Sequence, residues 1–362
     1  MSLMKTLIEA TGKGTRATVL ADSKYLDAPM MASTDVPIAN LMQSGQLDGG
    51  ITAGITLIVG DSRTFKSLFC LLQVKAFLDA HADAICIFVD SEFGGMKAFT
   101  TLGIDPTRVL HIPVENLEEM DHQTVQMLNK INRDHKVILF IDSISQIASL
   151  KEVENALEGN SARDMTRAAM MNSFFRKITP MLNLRNIPAY IINSFYDDVG
   201  NKYAEKIIKG GKQVFLSSNT ILLVTRSQEA EGKGAEKELK GWNFNYNVMK
   251  SRTIKEKAKF TITVLYESGI YKYSGLFELA TEAGYLTSEK QGWYVWNKAL
   301  TGFSDEKSYR KADLDQFYPD LLKNKDFKEW VKNEYTLGGS GVKLIGNDAP
   351  SIDLETGEIL NA

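Results

Sequence analysis

The residues best suited to chemistry stand together in Gly60-Asp61-Ser62-Arg63-Thr64-Phe65-Lys66-Ser67, where the apolar run Ile55–Val59 ends. An apolar strand, a turn, and Lys-Ser at the head of a helix form the layout of a phosphate-binding P-loop. Phosphate needs backbone N–H groups converging on one concavity, the positive end of a helix dipole, and a cation, here Lys66. The Ser67 hydroxyl is placed to hold Mg²⁺. One residue breaks the pattern: Phe65 stands where a second glycine usually precedes the lysine. On pattern alone, an ordinary strand–turn–helix connection with a surface lysine stays open beside the favoured nucleotide site.

Two further carboxylates follow apolar runs. Ala84–Val89 leads into Asp90-Ser91-Glu92, and Val137–Ile141 into Asp142-Ser143. The second is a Walker-B-like ending, in which an aspartate orients water on Mg²⁺. A strand ending in Asp is often only a helix N-cap, but its position downstream of the P-loop candidate favours the metal role. Asp142 is followed by serine rather than an acid, so a general base for water must come from elsewhere. Glu92 is the available carboxylate at a neighbouring strand end, with a surface salt bridge as its alternative. After Ala189–Ile192 come Asn193-Ser194 and a long stretch with Phe195, Tyr196, Lys202, Tyr203, Lys206, Lys209, Gly210, Gly211 and then Lys212. Loops this long inside a compact core are usually functional or mobile. Basic residues interleaved with aromatics suit single-stranded nucleic acid. Asp197, Asp198 and Glu205 dilute the charge, which leaves a solvated lid as the alternative.

These residues need strands to carry them. Continuous apolar runs at Ile55–Val59, Ala84–Val89, Val137–Ile141, Ala189–Ile192 and Ile221–Val224 alternate with helical or loop segments. That pattern predicts an α/β fold with a parallel sheet covered on both faces and ligands at the carboxyl ends of its strands. Phe244–Val248 and Phe260–Tyr266 instead alternate apolar with Asn or Thr, which predicts an antiparallel extension. Between them lies the locally basic Lys250-Ser251-Arg252-Thr253-Ile254-Lys255-Glu256-Lys257-Ala258-Lys259. Leu3, Leu7 and Ile8 predict a short amino-terminal helix, cut off at Thr11–Gly14, that docks on its own core or on a neighbouring subunit. Beyond Gly275 the pattern is mixed, with Trp293, Trp296 and Trp330. Gly338-Gly339-Ser340-Gly341 reads as a linker to an acidic tail.

The 362 residues, 44% hydrophobic and 24% charged, are ordinary for a globular chain of one large domain with appendages or two domains. A net charge of −3 argues against a bulk polyanion binder, so any nucleic-acid surface must be local. Cys70 and Cys86 lie in apolar surroundings and read as buried free thiols in a reducing cytoplasm. Four histidines without spacing to cysteine give no metal signal. A signal peptide is not expected, nor a membrane-spanning segment.

Taken together, the motifs resemble those of RecA-type recombinases, most closely the phage UvsX recombinases of T-even-like viruses. The resemblance rests on Gly60…Phe65-Lys66-Ser67, Phe88-Val89-Asp90-Ser91-Glu92-Phe93-Gly94, Phe140-Ile141-Asp142-Ser143, Asp164-Met165-Thr166-Arg167-Ala168 and Lys250–Lys257. It runs from about Thr34 to Trp293 and more weakly to Leu337. Phe65 in place of glycine is itself a trait of that branch. The resemblance implies a RecA-like P-loop ATPase core with a mostly parallel central sheet and an antiparallel extension. It divides the chain into an oligomerisation arm (1–33), an ATPase and DNA-binding core (34–270), a small C-terminal α+β module (271–338) and a flexible acidic tail (339–362). It implies an ATP- and Mg²⁺-dependent filament on single-stranded DNA that pairs it with homologous duplex DNA. For a phage member it adds single-stranded-DNA-binding and recombinase-loading partners in the bacterial cytoplasm.

Carried over by position, Lys66 and Ser67 hold phosphate and Mg²⁺, Asp142 supports the metal, and Glu92 activates the attacking water. Phe99 falls near the family's adenine-stacking aromatic, with a core residue as its alternative. Arg163, within roughly Gly159–Thr166, and the stretch Phe195–Lys212 correspond to two DNA-contacting loops. Lys250 and Arg252 match cations that reach the γ-phosphate bound by the next subunit; without the motifs they read as a solvent-facing strand end. Ser194 departs from the family, which usually has Gln or His as γ-phosphate sensor. Serine is shorter, and Asn193 is placed to share the role. The acidic tail resembles the family's regulatory ends, which implies competition with DNA for the loops. A RecA-fold hexameric helicase, a non-catalytic recombinase paralogue and a nucleotide-dependent structural filament are the rival readings.

Overall fold

Strands buried on both faces must be apolar at every position, and the runs above are used in that way in the computed structural model. It describes residues 2–25, 30–94, 96–159, 166–196, 206–231, 238–303, 307–337, 351–352 and 359–360. In chain order the elements are α1 (Leu3–Ala10), α2 (Pro37–Ser44), β1 (Gly54–Gly60), α3 (Lys66–Ala80), β2 (Ile85–Asp90), α4 (Lys97–Thr101), β3 (Val109–Pro113), α5 (Leu117–Lys130), β4 (Val137–Asp142), α6 (Leu150–Leu157), α7 (Thr166–Arg185) and β5 (Pro188–Asn193). There follow β6 (Phe195–Tyr196), β7 (Ile207–Ile208), α8 (Lys212–Ser217), β8 (Thr220–Glu231), β9 (Glu238–Lys250), β10 (Lys259–Leu265), β11 (Gly269–Ile270), α9 (Leu276–Glu282), β12 (Leu286–Lys290), β13 (Trp293–Trp296), α10 (Lys298–Thr301), α11 (Tyr318–Leu321) and α12 (Lys325–Tyr335).

Nine of these strands form one sheet in the order β11-β10-β9-β8-β1-β5-β4-β2-β3. The pairs from β8 through β3 are parallel, and β8 through β11 are antiparallel. The predicted parallel sheet with an antiparallel extension is therefore present. Along β1, Ile55, Leu57 and Val59 enter a core shared with α5 and α7, and Ile58 enters the one shared with α3. This alternation is the period of two that a strand between two helical layers requires. Register then sets the functional strand ends side by side. Asp90 is the Cα partner of Asp142, Val59 of Asn193, and Gly60 of Val224.

The segment beyond Gly275 does not build a core of its own. Leu279, Trp296, Tyr318, Phe327 and Val331 belong to the same apolar cluster as Leu41 of α2 and Phe69 of α3. Polar ties reinforce this, among them Lys328–Asp48 at 2.8 Å and the Lys255 N–H donating to the Tyr335 carbonyl at 2.8 Å. At the other end of the chain, α1 buries none of its residues, and Leu3, Met4 and Leu7 are exposed. Both cysteines are buried and free, and burial pushes their thiols up. No helix among the described residues is long and apolar enough to cross a membrane. Most of the acidic tail and of its Gly/Ser linker lies outside the described residues.

Candidate active site

The P-loop begins where backbone crowds out any side chain. A Cβ on Gly60 would meet the Val224 carbonyl at 2.7 Å and Thr64 Oγ1 at 2.8 Å, so only glycine fits that strand end. The turn then needs left-handed backbone. Arg63 has φ 62° and Phe65 has φ 64°, ψ 15°. For an L-residue this costs roughly 1–2 kcal/mol. Phe65 offsets it with its ring, which is 8% exposed and stacked on Phe244 with centroids 4.8 Å apart and planes at 22°. Burying a phenylalanine contributes about 1.5–3 kcal/mol. The bulky residue thus takes the glycine-like conformation because its side chain is anchored in the core.

The loop walls a cavity of about 330 Å³ whose lining includes Lys66, Ser67, Glu92, Asp142, Gln146 and Ser194. Lys66 is turned onto the loop and donates to the Asp61 carbonyl at 2.5 Å and to Thr64 Oγ1 at 3.4 Å. Burial lowers its pKa, opposed by the carboxylates of Glu92, Asp142 and Asp61. Ser67 Oγ donates to Asp142 Oδ2 at 2.6 Å. Asp142 Oδ1 is buried with no partner among the described residues. Burial pushes the Asp142 carboxyl up to about 6; the Ser67 hydroxyl opposes this, and the neighbouring Glu92 and Asp90 carboxylates add to it. A hydroxyl and a carboxylate in contact, an orphaned anionic oxygen and excess negative charge are what a hard divalent cation relieves. The residues present therefore fit Mg²⁺. The described residues contain no group of three or more His, Cys, Asp or Glu side chains able to hold a metal. Mg²⁺ needs none when one or two carboxylates share it with substrate phosphates and water.

The Glu92 side chain is held by Ser143. Its Oε1 accepts from Ser143 Oγ at 2.5 Å, and Ser143 Oγ also meets Ser145 Oγ at 2.7 Å. Ser91 ties β2 to β4: its N–H donates to the Asp142 carbonyl at 3.0 Å and its hydroxyl to the Ser143 carbonyl at 2.7 Å. Ser194 reaches the cavity with its Oγ buried and without a partner among the described residues.

Asn193 does not line the cavity. Its Nδ2 donates to the Lys209 carbonyl at 2.7 Å, and the Lys209 N–H donates to the Ser194 carbonyl at 3.1 Å. The strand end is thereby tied to the far end of the long loop. That loop opens as the β6–β7 pair, with Lys206 Nζ 3.8 Å from the Phe195 ring centroid and Tyr196 half exposed. Gly210-Gly211 turns it into α8, which starts at Lys212. Lys202, Tyr203 and Arg163 lie outside the described residues.

Phe99, Lys250 and Arg252 lie away from this cavity. Phe99 is 6% exposed and packs on Phe88, with centroids 5.0 Å apart, so it is a core residue and does not reach the cavity. Phe88 also stacks on Phe140, so this aromatic cluster holds α4 against the sheet. Lys250 and Arg252 stand at the end of β9 and do not line the P-loop cavity of their own chain. Lys250 pairs with Ile221 near the start of β8, whereas Gly60 pairs with Val224. Lys250 Nζ donates to the carbonyls of Phe215 and Leu216 at 2.8 and 3.0 Å, capping α8, and burial and Arg252 lower its pKa. Arg252 is exposed. Sequence reasoning missed Ser145 and Gln146 as lining residues. Their only signal was their place just after the Asp142 strand end.

Comparison with known proteins follows the chain in two parts. The family model described as RecA N-terminal domain matches residues 3–271. That described as "Bacteriophage T4, Recombination and repair protein, C-terminal domain" matches residues 273–331. The recombination and repair protein of Enterobacteria phage T4 is 36% identical over 99% of this chain and 91% of its own length. The RecA protein of Aquifex aeolicus is 24% identical over 82% of each chain. That of Chloroherpeton thalassium is 23% identical over 91% of this chain and 86% of its own.

Proposed function

The chain belongs to the RecA family, and from that membership we propose that it is an ATP-dependent DNA recombinase that assembles on single-stranded DNA and pairs it with homologous duplex. The observation that carries the ATPase part is the convergence of Lys66, Ser67, Asp142 and Glu92 on one cavity. Lys66 releases its loop carbonyl to bind phosphate. Ser67 and Asp142 would hold Mg²⁺, which would supply charge neutralisation at the transferred phosphoryl group. Glu92, aimed by Ser143, takes the proton of the attacking water. Ser194 offers its unpartnered hydroxyl to the γ-phosphate, and the Asn193–Lys209–Ser194 bonds pass its position to the DNA-contacting loop. Chemistry here is mostly positioning and charge stabilisation.

Lys250 and Arg252 are proposed to complete the site of the next subunit. Their place supports this, because Lys250 Nζ is held by the Phe215 and Leu216 carbonyls and neither residue lines the cavity of its own chain. The uncovered apolar face of α1 supports self-assembly, since a helix of eight residues is not stable alone. We assign 1–33 to that arm, 34–270 to the ATPase and DNA-binding core, 271–338 to the C-terminal module and 339–362 to a regulatory tail. The site of action is the cytoplasm.

The test is ATP hydrolysis with and without single-stranded DNA, with electron microscopy of the same samples. DNA-stimulated turnover and helical filaments are expected. Closed rings would favour the helicase reading, and absence of DNA stimulation the non-catalytic paralogue.

A further inference from the structure

We infer that His111, on the outermost strand β3, is a positioning residue for the water-activating carboxylate. The inference rests on the assignment of Glu92 above. Asp90, at the end of β2, is 1% exposed and does not line the cavity. A buried carboxylate is costly unless its oxygens are paired. Asp90 Oδ1 accepts from the Glu92 N–H at 3.0 Å and from the Phe93 N–H at 2.7 Å. Asp90 Oδ2 faces His111 Nε2 at 3.1 Å. Among the described residues no other side chain pairs with Asp90.

These bonds run in series toward the cavity. The two backbone N–H groups belong to the turn that carries Glu92 out of β2, and Phe93 completes it with φ 53°. Glu92 then meets Ser143 inside the cavity. A carboxylate only accepts, so His111 donates through Nε2, as it does in both the neutral Nε2–H form and the imidazolium. The ring is held for this by stacking on Phe88, with centroids 5.4 Å apart and planes at 23°. His111 therefore fixes one oxygen of Asp90, Asp90 fixes the turn, and the turn fixes the direction of Glu92. A surface histidine on an edge strand would need none of these bonds, and it would not sit over the one buried carboxylate whose other oxygen holds the Glu92 backbone.

Two substitutions separate donor from ring. His111→Phe keeps the stack on Phe88 and removes the N–H. His111→Gln removes the stack and keeps an amide donor. ATP turnover is measured with the full chain on single-stranded DNA, together with nucleotide affinity, melting temperature and a Glu92→Gln control. The expected result is a roughly 10- to 100-fold fall in kcat for His111→Phe with KM for ATP unchanged, the size typical of lost orienting bonds. His111→Gln is expected to recover kcat to within about threefold of the native protein. In the Glu92→Gln background His111→Phe should cost nothing further, because residues acting as a unit are not additive. Native kcat in His111→Phe, or equal loss in both variants, overturns the inference while leaving Glu92 in place. Undiminished turnover in Glu92→Gln overturns the assignment of Glu92 and the role of His111 with it.

Discussion

The two ends of the central strands differ in kind. At the carboxyl end, Gly60 and Asp142 are buried, Ser67 donates to Asp142, and Glu92 accepts from Ser143, all around one cavity at the ends of β1, β2 and β4. At the amino end of β8, Lys250 caps α8, Arg252 is exposed, and Phe215 and Leu216 stand partly uncovered. One end is a finished half-site. The other carries cations and partly exposed apolar surface, which the proposed function assigns to a second protomer. Under the proposed assignment of Lys250 and Arg252 to the next protomer's site, hydrolysis depends on assembly, which is the physical content of an activating cation supplied in trans.

Substitutions can break this contrast at either end. The largest effect is expected from Lys250→Ala combined with Arg252→Ala: DNA-stimulated turnover should fall about 10³-fold, while ATP binding by free protomers stays intact. Phosphate release and equilibrium nucleotide binding check the two parts. Lys66→Ala should lower turnover by roughly 10²–10³-fold and weaken nucleotide binding itself, which separates it from the first variant.

Asp142→Asn sharpens the comparison through stability. Burial pushes the folded carboxyl up to about 6, above an ordinary aspartate, so the fold weakens as pH rises from about 4 to about 6 and stays weakened, without further loss, above that. The difference corresponds to about 3 kcal/mol. Asp142→Asn should therefore raise the melting temperature of the nucleotide-free protein at pH 8, have little effect at pH 4, and abolish Mg²⁺-dependent turnover. Thermal unfolding across pH without nucleotide measures it. The smallest effect is expected for Phe65→Gly, which relieves the left-handed strain but loses the ring packed on Phe244. A net destabilisation of about 1 kcal/mol follows, read from denaturant midpoints.

The parallel sheet was legible because runs such as Val137–Ile141 are apolar at every position and Ile55–Val59 at all but Thr56, which a doubly covered strand requires. β3 was not, since Val109–Pro113 is a short edge strand interrupted by His111 and Pro113, which leaves no apolar run to read. The C-terminal module was legible from the change of pattern after Gly275, but not its docking: Trp296 and Phe327 pack into the cluster of α2 and α3, a long-range choice no local pattern encodes. At the site, Lys66, Ser67, Glu92 and Asp142 announced themselves by standing at strand ends. Phe99 did not behave as its position implied, because its ring faces Phe88. The conformation that lets Phe65 replace glycine depends on Phe244, distant in sequence and adjacent only in the fold.

The central claim is that each active site is shared between two protomers. It is tested most directly by mixing Lys66→Ala protein with the Lys250→Ala/Arg252→Ala variant on single-stranded DNA and measuring ATP hydrolysis. The first retains intact cations and the second an intact P-loop, so mixed filaments contain complete sites. The account predicts turnover well above the sum of the two proteins assayed alone. Turnover no greater than that sum, in samples that electron microscopy shows to be co-assembled filaments, would contradict it.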